Sequence, residues 1–128
     1  MTDHPLFLLD SNICIYLLEG LSDAALARIE NCAPGEVVTS AVAYAEVLRG
    51  IDTSDSEAMA KIEAFFSVVG VLPFDDAAAR AYSSVPFKRR SFDRLIAAHA
   101  LSLGLTIATN NPGDFSDIPG LEIENWTI

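Results

Sequence analysis

Along this chain, short unbroken apolar runs alternate with longer stretches in which apolar residues recur every three or four positions. The runs have the length and β-branched content of buried strands, and they predict strands at 6–9 ("LFLL"), 36–40 ("EVVTS"), 67–72 ("SVVGVL"), 105–109 ("LTIAT") and 121–126 ("LEIENW"). The helical periodicity predicts helices at about 11–18, 22–31, 41–49, 55–66, 75–84 and 92–103. Ser22, Ser40 and Ser91 stand where helix N-caps belong, and Gly50 and Gly104 stand at helix C-termini. Such alternation implies an α/β fold: three layers, α/β/α, around a mostly parallel central sheet.

The first apolar run ends abruptly in Asp10, within "LFLLDSN". In open parallel sheets, ligands bind beyond the carboxyl ends of the strands, which is where this carboxylate falls. N-capping of the helix that begins "SNICIYLL" is a second and compatible role for it. Three more acids sit in apolar company. Glu46 shares a helical stripe with Val42, Ala45 and Arg49, so it faces or borders the core, unless it only pairs with Arg49. Asp93 opens the apolar helix "FDRLIAAHALSLG", where the helix dipole favours a negative charge. His99, on the same helix, reads as a packed core histidine rather than a metal ligand. The strand "LTIAT" runs into a polar turn that carries Thr109, Asn110, Asn111 and Asp114. Taken together these acids can meet on one rim of a parallel sheet. Carboxylates gathered in a dry cleft repel one another unless a cation neutralises them, and an all-oxygen set selects Mg²⁺ or Mn²⁺ over Zn²⁺.

Length and composition set the frame. The 128 residues make one domain, 1–128, and a chain that is 51% hydrophobic is expected to fold rather than stay disordered. No apolar run is long enough to span a bilayer, and "MTDHPLF" lacks the basic start of a signal peptide, so a cytoplasmic protein with no membrane association is expected. Cys14 and Cys32 then read as small buried hydrophobes rather than a disulfide. The net charge of −10 opposes binding to nucleic acid in general. Of the eight cations, however, Lys88, Arg89, Arg90 and Arg94 are bunched together, as either a solvated loop or a local contact for RNA phosphates.

"FLLDSNICIYLL", the Ser-x-x-x-x-x-Glu helix in "TSAVAYAEVLRG", and "FDRLIAAHALSLGLTIATNNPGDFSDIPGLEIENW" together resemble a PIN domain, and more narrowly the VapC-type toxin subunit of VapBC toxin–antitoxin systems. The last stretch carries the Asp-x-x-Ile-Ala-Ala-x-Ala helix and the Thr-Asn-Asn turn and is the most specific of the three. The resemblance implies a Mg²⁺- or Mn²⁺-dependent endoribonuclease, with Asp10, Glu46 and Asp93 as metal ligands and catalytic acids. Relatives often place a fourth acid where this chain has Asn111, and Asp114 is the nearest carboxylate to fill that role. Thr109 and Asn111 then support the ligands by hydrogen bonding. A homodimer and a cognate VapB-type antitoxin are the implied partners, with Ile15, Tyr16 and Leu17 as exposed apolar candidates for either contact or for the core. Two rival readings are a degenerate PIN module that only binds protein and a HAD-like phosphohydrolase. The latter needs an Asp where Asn12 stands.

Overall fold

A computed structural model describes residues 4–128. Five strands form one sheet: β1 (Phe7–Leu9), β2 (Val37–Ser40), β3 (Gly70–Leu72), β4 (Thr106–Thr109) and β5 (Ile123–Asn125). They lie in the order β3-β2-β1-β4-β5, and every pairing is parallel. Six helices connect or flank them: α1 (Ser11–Glu19), α2 (Asp23–Glu30), α3 (Ala41–Arg49), α4 (Ser56–Val68), α5 (Asp76–Tyr82) and α6 (Phe92–Leu103). Among the described residues no helix is long and apolar enough to cross a membrane.

The central strands are largely apolar and buried because both faces of the sheet are covered. Neighbouring residues of a strand point to opposite faces, so each strand feeds two cores. Leu8, Val38 and Ile107 pack on one side with Ile96, Ala97 and Ala100 of α6 and with Phe115 and Ile118. Leu9, Val37 and Ala108 pack on the other with Ile13 and Cys14 of α1, Ala25 of α2, Ile62 of α4 and Trp126. Cys14 is buried, Cys32 is half-buried, and both are free thiols. His99 is buried, with its Nδ1 2.8 Å from Ser40 Oγ and its ring edge-on to Phe74, and burial holds its pKa below the ordinary value. It is the core histidine that its helix implied.

Local signals explain most boundaries. Ser22 and Ser40 cap their helices through side-chain oxygens that accept from Ala25 N and Val42 N. Asp55 and Asp75 do the same for α4 and α5. Gly104 ends α6 in the left-handed conformation (φ 68°) that a β-carbon would strain. Ser91 stands at the N-cap of α6, as expected, without a side-chain cap bond. One expectation is corrected. Residues 67 and 68 are helical, because α4 runs on to Val68 and the strand starts only at Gly70. Val68 and Val69 gave that stretch its strand-like look, but Ser67 Oγ donates to Ala64 O (2.7 Å), a bond back into the preceding helical turn. Asp75 offers a direct check on capping: Asp75→Ala removes the bond from Ala78 N (3.0 Å) and is expected to cost about 1 kcal/mol, read by chemical denaturation.

One consequence of strand order matters most for the site. From β1 the chain steps outward to β2 and β3, and then returns to the other side of β1 to lay down β4 and β5. The direction of winding therefore reverses between β1 and β4. A cleft opens at the carboxyl ends of strands flanking such a reversal.

Candidate active site

Both strands at the reversal hand over to polar residues at once. Leu9 leads into Asp10, whose backbone N–H continues the pairing by donating to Ala108 O (3.0 Å). The Asp10 side chain caps α1, accepting from Ile13 N (2.9 Å). It is nonetheless almost fully buried, at 3% exposure. Burial raises its pKa from 3.8 to about 6, against the opposing pull of the Thr109 hydroxyl and the Ile13 N–H, while the carboxylates of Asp93 and Glu46 raise it further. Capping and membership of a carboxylate cluster thus coexist in one side chain.

Glu46 reaches the same place from α3. Its pKa is raised first by burial, then by Asp93, with the Ser11 hydroxyl pulling the other way. Its Oε1 is buried and has no hydrogen-bond partner. The alternative ion pair with Arg49 is not formed among the described residues. Asp93, in the first turn of α6, is half-buried and also raised, by burial and by Asp114, with Lys88 and Arg94 opposing. Asp114 closes the 3₁₀ turn Pro112–Asp114 that follows β4. Four acids distant in sequence thus act on one another through space. Among the described residues no group of three or more His, Cys, Asp or Glu side chains is arranged to hold a metal ion.

Thr109 is fully buried beside Asp10, and its Oγ1 accepts from the Asn111 backbone N–H (3.0 Å), which shapes the turn. Asn111 itself is exposed. Ser11, unassigned from sequence, and Asn12, Asn110 and Tyr16, which were read there in other roles, complete the rim. Ser11 lies buried next to Asp10. Asn12 Nδ2 donates to Asn110 Oδ1 (3.3 Å), and Asn110 Nδ2 donates to Tyr16 Oη (3.2 Å), tying α1 to the turn after β4. The tripeptides "DSN" and "TNN" held that signal, since each sets an amide beside a residue already under suspicion. Between α3 and α6 a groove of about 720 Å³, lined by Ala41, Val42, Ala45, Phe92 and Leu95, opens beside Glu46.

Two expectations change here. Lys88, Arg89 and Arg90 are exposed, with Arg90 held at φ 59°, but Arg94 is not part of that surface. Its side chain is 4% exposed and its Nη1 lies 2.9 Å from Asp117 Oδ1. Arg94 follows Asp93 by one residue, so it projects about 100° around the helix axis, away from its neighbour's direction. Ile15, Tyr16 and Leu17 are half-buried rather than exposed, and Ile15 and Leu17 pack on the core that contains Trp126.

The chemistry of this donor set suits a dication. The cluster is all carboxylate, it is desolvated, its members repel one another, and one buried oxygen lacks a partner. A hard cation answers each of those costs. Residues 7–121 match the PIN domain family model. The chain is 35% identical to a tRNA(fMet)-specific endonuclease VapC of Shigella flexneri, over 94% of this chain and 98% of that protein. It is 28% identical to ribonuclease VapC2 of Rickettsia felis, with 94% and 98% covered. Among solved structures, DNA-bound VapBC from Salmonella typhimurium superposes with a TM-score of 0.83 at 29% identity, covering 95% of this chain and 98% of that one. VapBC2 from Rickettsia felis, bound to a promoter DNA fragment, gives 0.82 at 26% identity over 94% and 98%. The chain belongs to the PIN-domain family, among its VapC ribonucleases.

Proposed function

We propose that this protein is the toxin of a type II toxin–antitoxin pair, a divalent-metal-dependent endoribonuclease that works in the cytoplasm as a homodimer and is held in check by a VapB-type antitoxin. The observation that carries this reading is the coupled carboxylate cluster at the sheet's reversal point, with the unpartnered Oε1 of Glu46 inside it. Family membership supports the enzyme class, and the VapBC complexes among the structural relatives support the partner.

Asp10, Glu46 and Asp93 are the residues that would hold Mg²⁺ or Mn²⁺, with Asp114 as a fourth acid near Asp93. Bound there, the cation supplies Lewis acidity that makes a water more acidic and offsets charge growing on the scissile phosphate. The protein's own groups do the rest. Asp10 is locked by the Ile13 N–H and by Thr109, so its carboxylate is pre-oriented. Glu46, with a raised pKa and a free oxygen, can serve as a ligand or can accept a proton from the attacking water. Asn111 shapes the turn through its backbone rather than by charge.

Lys88, Arg89 and Arg90 give an acidic protein a local hold on the RNA backbone. The double variant Arg89→Gln/Arg90→Gln is expected to raise KM for RNA and leave kcat near that of the parent. It should also flatten the dependence of log binding on log salt by about 0.7 per cation removed. An unchanged salt slope would place RNA elsewhere on the surface. With Asp10, Glu46 and Asp93 all present, a module that only binds protein is the weaker reading. The phosphohydrolase reading rested on Asp10 alone and gains nothing from the family match. An RNA cleavage assay with and without Mn²⁺ tests the proposal, and metal-independent or absent cleavage would count against it.

A further inference from the structure

Arg94 is a buried cation with little to satisfy it. Its guanidinium meets Asp117 Oδ1 at 2.9 Å, yet Nε and Nη1 make no well-directed hydrogen bond. Asp117 lies on the segment joining the Pro112–Asp114 turn to β5, three residues beyond Asp114. The same segment is plugged into the core by Phe115 and Ile118. Adjacent residues of α6 therefore address both acids of one loop: Asp93 feels the charge of Asp114, and Arg94 holds Asp117 at 2.9 Å. Asp93 and Asp114 carry like charge, and each raises the cost of the other's approach. Left to themselves, two such groups move apart.

We propose that Arg94 is a positioning residue: by gripping Asp117 it pins the 112–118 loop to α6 and keeps Asp114 beside Asp93, so that the carboxylate cluster is pre-assembled for its cation. The inference rests on the reading of that cluster as a metal site. The pair contributes little net stability, because Arg94 is desolvated while water screens the exposed carboxylate of Asp117. Placement rather than stability is what the arrangement provides.

The test uses the full-length protein and calorimetric titration with Mn²⁺, beside thermal unfolding of the metal-free form. Asp117→Asn alone leaves Arg94 buried without a countercharge and is expected to lower stability, so it cannot separate the roles. Arg94→Met/Asp117→Asn removes both charges and fills the volume with an apolar chain, which returns stability to the parent's level or above. Positioning requires that Mn²⁺ affinity in this stable double variant still be weaker by about 10-fold, the low end for loss of a group that orients a ligand. Parent-like affinity in the double variant would show that Phe115 and Ile118 hold the loop unaided and would overturn the proposal. Asp10→Asn is run alongside: if it too binds Mn²⁺ like the parent, the site assignment beneath the proposal fails instead.

Discussion

Replacing Asp10 by Asn is expected to abolish RNA cleavage and, in the same protein, to raise the melting temperature of the metal-free form at neutral pH. The two effects have one cause. A carboxyl whose pKa rises from 3.8 to about 6 on folding is more costly to bury ionised than to leave in water, by about 3 kcal/mol at neutral pH. Asn caps a helix as well as Asp does, so the bond from Ile13 N survives and the charge alone is lost. Stability should therefore rise by roughly 1–3 kcal/mol, short of the full figure because the buried amide still carries a desolvation cost of its own. Activity moves the opposite way. If Asp10 holds the cation as proposed, its loss forfeits several kcal/mol of transition-state stabilisation, a fall in kcat/KM of at least about a thousandfold. A site residue that only supported the fold would lose stability and activity together. Thermal unfolding in chelator, set beside cleavage rates, reads both.

The second large effect is the pH dependence of stability and its reversal by metal. Between the unfolded value near 3.8 and the folded value near 6, the native state binds more protons at Asp10 than the unfolded chain does. The slope of stability with pH then has the sign of protons bound unfolded minus protons bound folded, which is negative. The contribution of Asp10 to metal-free stability is therefore greatest below about pH 4 and is lost as pH climbs through 6. Glu46 and Asp93, also raised, push in the same direction. Asp52 and Asp117, both lowered, push the other way, but their carboxylates are exposed and weigh less. Saturating Mn²⁺ should cancel the loss. At one hundred times its dissociation constant a ligand adds about 2.7 kcal/mol, worth roughly 10 °C for a chain of this size. Its affinity should in turn fall about tenfold per pH unit below pH 6, where a proton competes for the Asp10 carboxylate. A metal-free Tm that rises steadily from pH 4 to 7 would refute this.

Much of the fold was legible because the unbroken apolar runs and the stretches with a repeat of about three and a half barely overlap along the chain. Leu8 and Leu9 feed opposite cores, as an unbroken apolar run at the centre of a parallel sheet requires. The acids proposed for the site stood out for a related reason: a carboxylate at the end of such a run, or on the apolar stripe of a helix, is out of place unless something needs it. Arg94 shows where that reasoning stops. Proximity in sequence put it with Lys88, Arg89 and Arg90, but α6 begins between them, and the helical turn buries its side chain against a loop more than twenty residues on. Asp117, its partner, carries no local signal, since an Asp in a Gly- and Pro-rich turn is ordinary. The end of α4 was hidden likewise, because Val68 and Val69 favour a strand by their side chains while the backbone of that turn stays helical.

Beneath all of this lies the claim that acids from β1, α3 and α6 share one cation. Glu46→Gln and Asp93→Asn, titrated separately with Mn²⁺ at neutral pH, test it most directly. Each single change is expected to weaken binding by about 10-fold or more even though the two residues sit on different helices. Binding as tight as the parent's in both variants would contradict the claim.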